Sequence, residues 1–408
     1  MSPLQSRHLP DDDNGYDLLV VGGGIQGAGM AQAASAAGYS VLLVERDDWG
    51  CGTSSRSSKL IHGGLRYLES GQFALVRKAL KERQVLLNIA PELVKPVPFV
   101  IPVYRHSQRT DMMLYTGLQL YRWLGRGLVY NDFDRFEPDD PQFDSLCGGG
   151  LIRQDLRAVY RYWDAQTDDK MLTRSVATSA STLGAKLARG WSLTHAQPCD
   201  YGWRVDLSDG NSYRRVEASV LINATGPWVS QVQTLIHSAP APLSTELVQG
   251  AHILVEGRLG DSVFYLETED RRGVFVMPWQ QDSLVGTTET PYVGDPSQCR
   301  VLPQEVDYLR DALRRYFPEL TVKIKSQFAG LRVLEGGNGG FFHRARDTRL
   351  QEFWHEGRGL VSLYGGKLTT YRTTAQAVIK RLEPHLGKRQ PLADTATLQL
   401  VPVEAANA

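Results

Sequence analysis

The feature that most constrains this chain is a run of glycines between two apolar segments near its start. Residues 17–21 (DLLVV) are typical of a short buried strand, and residues 25–38 (IQGAGMAQAASAAG) are typical of a helix of small residues. The turn between them carries GxGxxG at Gly22, Gly24 and Gly27. This strand–turn–helix context predicts a Rossmann-type α/β unit that binds a dinucleotide.

Each glycine of this motif has its own physical reason. Gly22 permits a tight turn, Gly24 lets the backbone approach a pyrophosphate, and Gly27 lets the helix pack closely on the strand. The helix begins at Ile25 and Gln26, and its free N–H groups can donate to an anion. We therefore expect the phosphates of the dinucleotide at this turn.

A second strand ends on an acid at the expected distance. Residues 39–45 (YSVLLVE) end on Glu45, about 20 residues after the glycines, where a carboxylate can accept the two ribose hydroxyls of an adenosine. Arg46 follows directly and is expected beside the same nucleotide.

The loop that follows distinguishes FAD from NAD. Residues 46–72 are rich in glycine and serine, whereas a nicotinamide dehydrogenase would usually continue with further βα units. A long extended segment that lies along an extended cofactor favours FAD. Gly63 and Gly64 are expected to leave room for a flat ring, and the hydroxyls suited to phosphate and ribitol oxygens belong to Thr53, Ser54 and Ser55.

Seven segments resemble the FAD-dependent glycerol-3-phosphate dehydrogenases, in the same order along the chain. They are TSSRSSKLIHGGLRYLE (53–69), INATGPWV (222–229), QGAHILV (249–255), VFVMPW (274–279), LVGTTET (284–290), FAGLRVL (328–334) and YGGKLTTYR (364–372). The resemblance covers about 16–385. It implies FAD as cofactor, oxidation of sn-glycerol 3-phosphate to dihydroxyacetone phosphate by hydride transfer to flavin N5, and a quinone as electron acceptor.

The motifs and the resemblance together predict the cofactor site. The expected cofactor-binding residues are Gly22, Gly24, Ile25, Gln26, Gly27, Glu45, Arg46, Thr53, Ser54, Ser55, Lys59, Leu60, His62, Gly63, Gly64, Ala224, Gly226, Gly365, Gly366, Lys367, Leu368 and Thr369.

Three residues are predicted to be catalytic: His62, Arg332 and Lys367. His62 is a candidate base, because imidazole titrates near neutrality, and the alternative is a histidine that only packs beside the flavin. Lys367 precedes a predicted helix and has a rival claim, since a cation near a helix N-terminus stabilises a reduced flavin or a substrate anion. The resemblance places a substrate-facing arginine at Arg332.

A phosphorylated polyol needs a cationic anchor. The expected substrate-binding residues are Arg66, Tyr67, Arg332, Arg346 and Lys367. Residues 333–350 differ from the usual family run, and Arg344 or Arg349 are alternatives to Arg346. Family members usually carry a further helical domain after the last matching segment. These departures leave a second hypothesis, an FAD-dependent oxidase or dehydrogenase of another small anionic alcohol or amine. A third is a non-catalytic FAD-binding, redox-responsive module, which would have no use for the substrate cations.

The fold predicted is an α/β fold with a Rossmann-type FAD-binding lobe, similar to glutathione reductase and D-amino-acid oxidase, and an interleaved antiparallel-sheet substrate lobe. The expected pieces are a disordered N-terminal tail (1–15), an FAD-binding domain (16–95, 160–240 and 328–385), a substrate domain (96–159 and 241–327) and a C-terminal tail (386–408). Residues 111–129 are apolar around most of a helix. We interpret them as a core or interdomain helix rather than a membrane-dipping one, which should have a clear polar face.

Composition excludes several classes of partner. The chain has 45 lysines and arginines and 45 aspartates and glutamates, so its charge balance does not indicate a nucleic-acid partner. Four dispersed cysteines without a CxxC pair favour a reduced compartment and no metal. No signal peptide or apolar span is evident. We expect a cytoplasmic protein, peripheral at the membrane if it follows the family, and the oligomeric state stays open.

Overall fold

The computed structural model describes residues 3–9, 15–147, 150–270, 272–336 and 348–403. The strands in these ranges are β1 (Tyr16–Val21), β2 (Val41–Glu45), β3 (Leu60–Ile61), β4 (Val94–Tyr104), β5 (Phe133–Phe136), β6 (Leu156–Thr167), β7 (Lys186–Arg189), β8 (Ser192–Cys199), β9 (Gly202–Ser208), β10 (Tyr213–Asn223), β11 (Thr245–Val255), β12 (Val263–Glu267), β13 (Gly273–Trp279), β14 (Asp282–Gly286), β15 (Thr290–Tyr292), β16 (Ile324–Glu335), β17 (Arg349–His355) and β18 (Arg358–Tyr364). The helices are α1 (Ile25–Ala36), α2 (Phe73–Ile89), α3 (Asp111–Leu124), α4 (Phe143–Cys147), α5 (Asp169–Thr182), α6 (Val229–Gln233), α7 (Pro303–Tyr316) and α8 (Tyr371–Leu386).

The first sheet is the predicted Rossmann-type layer. Its order is β17-β18-β10-β1-β2-β7, with parallel pairing from β18 to β7. Both faces of β1 and β2 are covered, which explains why their sequences are continuous apolar runs. Helices α1, α5 and α8 share one hydrophobic core with one face, and residues of β8 and β9 share another core with the opposite face. The carboxyl ends of β1 and β2 therefore meet beside the N-terminus of α1.

The second sheet is the predicted interleaved layer, and it is mostly antiparallel. Its order is β15-β11-β14-β13-β12-β4-β6-β3, with β16 paired to β11 and β5 to β6. One pair, β4 with β12, is parallel. Helix α7 packs on one face, and α2 and α3 pack on the other. The predicted α/β fold class, a Rossmann-type lobe with an interleaved antiparallel-sheet lobe, is confirmed, and the parallel β4–β12 pair is the departure from a purely antiparallel second sheet in the described residues.

Two long strands cross the expected domain boundaries. β6 contains residue 160 and pairs with β4, and β16 contains residue 328 and pairs with β11, so both strands belong to the second sheet throughout their length. The division into domains stays a prediction; residues 160–167 and 328–335, which were expected in the FAD-binding domain, pair within the second sheet.

Parts of both expected tails are packed. Leu4 is buried, and its carbonyl accepts a hydrogen bond from Nε1 of Trp49 at 2.9 Å, so residues 3–9 depart from the expected disordered tail. Near the other end, Leu400 is buried and its amide donates to the carbonyl of Ile89 at 2.7 Å.

Helix α3 is a surface helix, which corrects its interpretation as a core or interdomain helix. Leu114, Leu118 and Tyr121 are buried on one face, whereas Met112 is 71% exposed and Trp123 is 67% exposed. The sequence misled because the outward face is also apolar. No helix within the described ranges is long and apolar enough to cross a bilayer.

Candidate active site

The glycine turn between β1 and α1 forms the first part of a large cavity. Gly22 has φ +107°, and a Cβ there would lie 2.7 Å from the carbonyl oxygen of Ala224. A Cβ on Gly27 would overlap the carbonyl oxygen of Gly22, whereas one on Gly24 would meet only Oγ of Ser54 at 3.2 Å. Gly22 and Gly27 therefore allow close packing of backbone, and Gly24 leaves space on the cavity side for a ligand.

The carboxylate of Glu45 lies at the end of β2 and lines the same cavity. Its Oε2 accepts the amide hydrogen of Gly23 at 2.6 Å, and its Oε1 accepts that of Asp47 at 2.8 Å. Burial raises the pKa of Glu45 despite these bonds. These hydrogen bonds hold both carboxylate oxygens in place beside the glycine turn, where they suit the hydroxyls of a ribose.

One neighbouring cluster has potential metal ligands. Ligand atoms of Glu45, Asp47 and Cys51 lie within 4.8 Å of one another. Burial raises the pKa of the Cys51 thiol, so the sulfur keeps its proton near neutral pH and is a poor ligand.

Hydrogen bonds at the cavity join distant parts of the chain. Nε2 of Gln26 donates to the carbonyl of Lys367 at 3.3 Å, and the amide of His62 donates to Oγ1 of Thr369 at 3.3 Å. These bonds bring together the glycine turn, the HGG segment (62–64) and the GGKLTT segment (365–370).

The cavity has a volume of about 1020 Å³ and runs from the glycine turn to the lysine of GGKLTT. Most predicted cofactor residues line it: Gly22, Gly24, Ile25, Gln26, Glu45, Arg46, Thr53, Ser54, Leu60, His62, Gly64, Ala224, Gly226, Gly365, Gly366, Lys367, Leu368 and Thr369. A helix N-terminus, the half-buried acid Glu45 and the hydroxyls of Thr53 and Ser54 in one cavity are a donor and acceptor set that suits FAD. The residues present fit this cofactor.

Four predicted cofactor residues lie off the cavity wall described by the structure: Gly27, Ser55, Lys59 and Gly63. Oγ of Ser55 donates to the carbonyls of Cys51 and Gly52, which closes a local turn. Nζ of Lys59 lies 2.5 Å from Oδ1 of Asp169, and both side chains are buried. These side chains therefore hold the loop from behind rather than contact a ligand directly.

Protein side chains pack closely against both glycines of HGG. A Cβ on Gly63 would overlap the hydroxyl of Tyr121, and one on Gly64 would overlap the ring of Tyr67. Tyr121 fills the space beside Gly63, which lies off the cavity wall, so this glycine leaves no room there for a flat ring. Gly64 lines the cavity, and its expected place beside the ring stays a prediction.

The predicted substrate cations lie in the same cavity. Arg66, Tyr67, Arg332 and Lys367 all line it. Nζ of Lys367 lies 4.2 Å from the centre of the Tyr67 ring, and Cζ of Arg66 lies 5.2 Å from the same centre. Arg346 and its alternative Arg344 lie outside the described residues, and Arg349 pairs with Glu335 at the surface.

Arg332 has close protein partners as well. Its Nη1 lies 3.1 Å from Oε1 of Glu289, and its Nη2 donates to the carbonyl of Thr288 at 2.7 Å. The guanidinium lies at the cavity wall next to Gly250. An anchoring role for Arg332 therefore involves Glu289, which sequence reasoning did not identify.

Sequence reasoning gave no role to several other cavity residues, which lie on strands of the second sheet or in the segments next to those strands. They include Arg109, Tyr265, Arg272, Phe275 and Glu289. Phe275 and Glu289 lie inside the segments VFVMPW and LVGTTET, but nothing in those segments gave either residue a role. The other three lie outside every segment that carries the resemblance, so only the fold of the second sheet brings them to the cavity.

His252 also lines the cavity. Its ring stacks on Phe328 with centroids 4.9 Å apart, and its Nε2 lies 3.0 Å from Oγ of Ser58. Burial lowers the pKa of His252 to about 3, so the ring is neutral at physiological pH.

Comparison with known proteins also indicates a protein that binds FAD. A family profile described as FAD dependent oxidoreductase matches residues 17–372. A glycerol-3-phosphate dehydrogenase of Pseudomonas aeruginosa is 37% identical, with 92% of this chain and 73% of the relative covered. A D-erythritol 1-phosphate dehydrogenase of Brucella abortus is 35% identical, with 91% and 75% covered.

Solved structures agree with these sequence relatives. Glycerol-3-phosphate dehydrogenase from Bacillus halodurans complexed with FAD has a TM-score of 0.73 and 26% identity, with 95% of this chain and 68% of that chain covered. Glycine oxidase from Geobacillus kaustophilus shares the fold, with a TM-score of 0.70 and 19% identity, over 95% of this chain and 98% of that chain. The resemblance predicted from the motifs is confirmed: the chain belongs to the FAD-dependent oxidoreductase family and is an enzyme that uses FAD.

Proposed function

We propose that this enzyme oxidises sn-glycerol 3-phosphate at C2 to dihydroxyacetone phosphate, and that the electrons then pass to a quinone. One observation carries the proposal. His62, Arg66 and Lys367 line the same cavity as the glycine turn and Glu45, so cations and a candidate base lie in one continuous space with the cofactor residues. The glycerol-3-phosphate dehydrogenases among the relatives support this substrate.

The cations of the cavity hold the phosphate in this proposal. Lys367 and Arg66 share Tyr67 as a neighbour, and Arg332 comes from β16 in the second sheet. A guanidinium can donate two parallel hydrogen bonds to a phosphate, and an ammonium acts as a compact charge beside it. The phosphate end of the substrate is therefore held by groups from three separate parts of the chain.

His62 takes the proton of the C2 hydroxyl in this proposal. Its backbone is held by the bond from its amide to Thr369, and its side chain lines the cavity between Leu60 and Gly64. Bound FAD supplies the two-electron acceptor that alcohol oxidation requires. In the alternative, His62 only packs beside the cofactor, and the two assignments differ in whether a His62 variant loses turnover while it keeps substrate affinity.

A longer phosphorylated polyol is the second candidate substrate. The D-erythritol 1-phosphate dehydrogenase is nearly as similar to this chain as the glycerol-3-phosphate dehydrogenases are. The cavity also extends under α3, past Leu114 and Gly117, which are far from the glycine turn in sequence. A substrate with one more hydroxymethyl group would use the same phosphate anchor.

The choice of a quinone as acceptor places the enzyme at a membrane surface. The exposed apolar side chains of Met112 and Trp123 on α3, next to the exposed cations Arg122 and Arg126, support this location. We expect the protein to sediment with anionic vesicles and Trp123→Ser to weaken this. Protein that stays in the supernatant with and without vesicles would contradict the membrane location.

Anaerobic reduction of the bound flavin tests the substrate. Purified enzyme is mixed with glycerol 3-phosphate, a tetritol 1-phosphate or unphosphorylated glycerol, and the loss of flavin absorbance is followed over time. We expect bleaching by glycerol 3-phosphate and little by glycerol. Faster bleaching by the tetritol phosphate would select the second candidate, and bleaching by neither phosphate would refute both.

A pair of lysine variants tests the anchor. Lys367→Met should lose about 2–5 kcal/mol of kcat/KM, the range for truncation of one partner of a buried charge contact. Lys170→Met is the matched control, because Lys170 is partly exposed and pairs with Asp48 outside the cavity wall. Equal kinetics of the two variants would show that Lys367 does not hold the substrate.

A further inference from the structure

A fully buried carboxylate lies behind the HGG segment. Asp164, on β6, is 1% exposed. Its Oδ1 accepts the amide hydrogen of Gly63 at 3.1 Å and a hydrogen from Nη1 of Arg83 at 2.8 Å. The hydroxyl of Tyr121 lies 2.9 Å from both of its oxygens. Three donors from separate elements therefore converge on one carboxylate.

These donors are arranged so that each is held in place. Burial raises the pKa of Tyr121, so its hydroxyl keeps the proton that it donates. Arg83 is fully buried, and its Nη2 donates to the carbonyls of Val129 and Tyr130 at 3.1 and 3.0 Å. Removal of any one donor would leave a buried acceptor less well satisfied, which is costly in a low-dielectric interior.

The geometry at Gly63 depends on this cluster. The tyrosine hydroxyl occupies the space where a Cβ of residue 63 would lie, so glycine allows the backbone to approach Tyr121 and reach Asp164. The residue before it is His62, which faces the cavity. The amide of His62 is bound by Thr369 from the C-terminal part of the chain, and the amide of Gly63 is bound by Asp164.

Tyr121 links Asp164 to the part of the cavity wall that α3 forms. It lies on α3, and Leu114, Gly117 and Leu120 of this helix line the cavity. Asp164 therefore links α3 to the HGG backbone, because it accepts hydrogen bonds from both Tyr121 and Gly63.

We propose that Asp164 and Tyr121 are positioning residues, which hold the Gly63 amide and thereby fix the position of His62 relative to the cavity and to α3. Neither residue is part of the cavity wall in the described residues. The proposal rests on the proposed function only for its kinetic readout, since the hold on the backbone is a property of the FAD-bound enzyme with or without turnover.

Tyr121→Phe tests the proposal, with Tyr104→Phe as the matched control. Tyr104 also loses one hydrogen bond in this variant, from its hydroxyl to the carbonyl of Ile152 at 2.8 Å, and it lies away from the cavity wall. Backbone hydrogen exchange of the holoenzyme is followed for peptides that cover 60–66, together with visible circular dichroism of the flavin.

We expect exchange in 60–66 to be about tenfold faster in Tyr121→Phe, with an altered flavin dichroism, an unchanged FAD content and wild-type behaviour of the control. On the substrate that reduces the flavin, kcat should fall about tenfold while KM changes less than about twofold, as for a small misplacement of a reacting group. Exchange, dichroism and kcat that match those of Tyr104→Phe would overturn the proposal.

Two further results keep the test decisive. In the wild-type holoenzyme the Gly63 amide should exchange as slowly as amides of the central strands, and fast exchange there would also overturn the proposal, whatever the variants do. If no phosphorylated polyol reduces the flavin, the proposed function fails. The exchange and dichroism measurements still decide the positioning role separately.

Discussion

Replacement of Arg332 by alanine tests whether this guanidinium holds the substrate anion or only pairs with Glu289. Arg332 contacts Oε1 of Glu289 at 3.1 Å and the carbonyl of Thr288 at 2.7 Å. Its side chain is 22% exposed, whereas that of Glu289 is 8% exposed. Both residues line the cavity, so part of the guanidinium faces the space in which the substrate is expected.

The size of the effect follows from the burial of the pair. Loss of one partner of a buried, hydrogen-bonded charge contact costs about 2–5 kcal/mol. One factor of ten in a rate or binding constant corresponds to about 1.4 kcal/mol, so we expect kcat/KM for the phosphorylated substrate to fall roughly 30-fold to several thousand-fold. An anchor acts equally in the ground state and the transition state, so the loss should appear mostly in KM. Arg332→Lys should recover only part, because an ammonium cannot reproduce a two-pronged contact.

A double-mutant cycle separates the two explanations. In Arg332→Ala the carboxylate of Glu289 loses this partner, and its negative charge alone could repel a phosphate. Steady-state kinetics are therefore measured for wild type, Arg332→Ala, Glu289→Gln and the double variant, each with its FAD content. If Arg332 is an anchor, its loss should raise KM by a similar factor whether residue 289 is Glu or Gln.

One outcome of the cycle would refute the anchoring argument. If Arg332→Ala raises KM in the Glu289 background but not in the Gln background, Arg332 only neutralises Glu289. The phosphate would then be held by Arg66 and Lys367. Wild-type kinetics in Arg332→Ala itself would lead to the same conclusion.

Three further predictions follow from single side chains. Glu45→Gln should weaken FAD binding by about 1–3 kcal/mol, as measured by cofactor titration, because the amide nitrogen that replaces one carboxylate oxygen cannot accept a hydrogen bond from a ribose hydroxyl. Unchanged FAD retention would refute the ribose assignment. His62→Gln should lower kcat by about 10²–10⁴ with KM nearly kept, and a loss confined to KM would exclude it as the base. His252 has a pKa of about 3 in the folded state and about 6.5 in the unfolded state, so between these values only the unfolded state binds the proton. The free energy of unfolding should therefore fall by about 1.4 kcal/mol for each unit by which pH drops below 6.5. In His252→Gln the melting temperature should depend less on pH in this range, and an unchanged dependence would contradict the argument.

The sequence by itself determined the fold class, the cofactor and one end of the site. Gly22, Gly24 and Glu45 are predictable because a tight turn, a close approach to a phosphate and an acceptor for a ribose are local requirements at fixed spacing. The strands around them were also readable, since β1 and β2 are buried on both faces and carry continuous apolar runs.

Only the tertiary structure decided which residues of the HGG loop face the cavity and which face the protein interior. Lys59 and Gly63 stand in the same motif as His62, yet their partners Asp169 and Asp164 are contributed by α5 and β6, more than a hundred positions later in the chain. Glu289 reaches Arg332 in the same way, because residues just beyond β14 meet β16 beside β11. A loop without periodicity gives no signal of which face is buried, and the groups that choose the face come from strands whose pairing is set by the whole sheet.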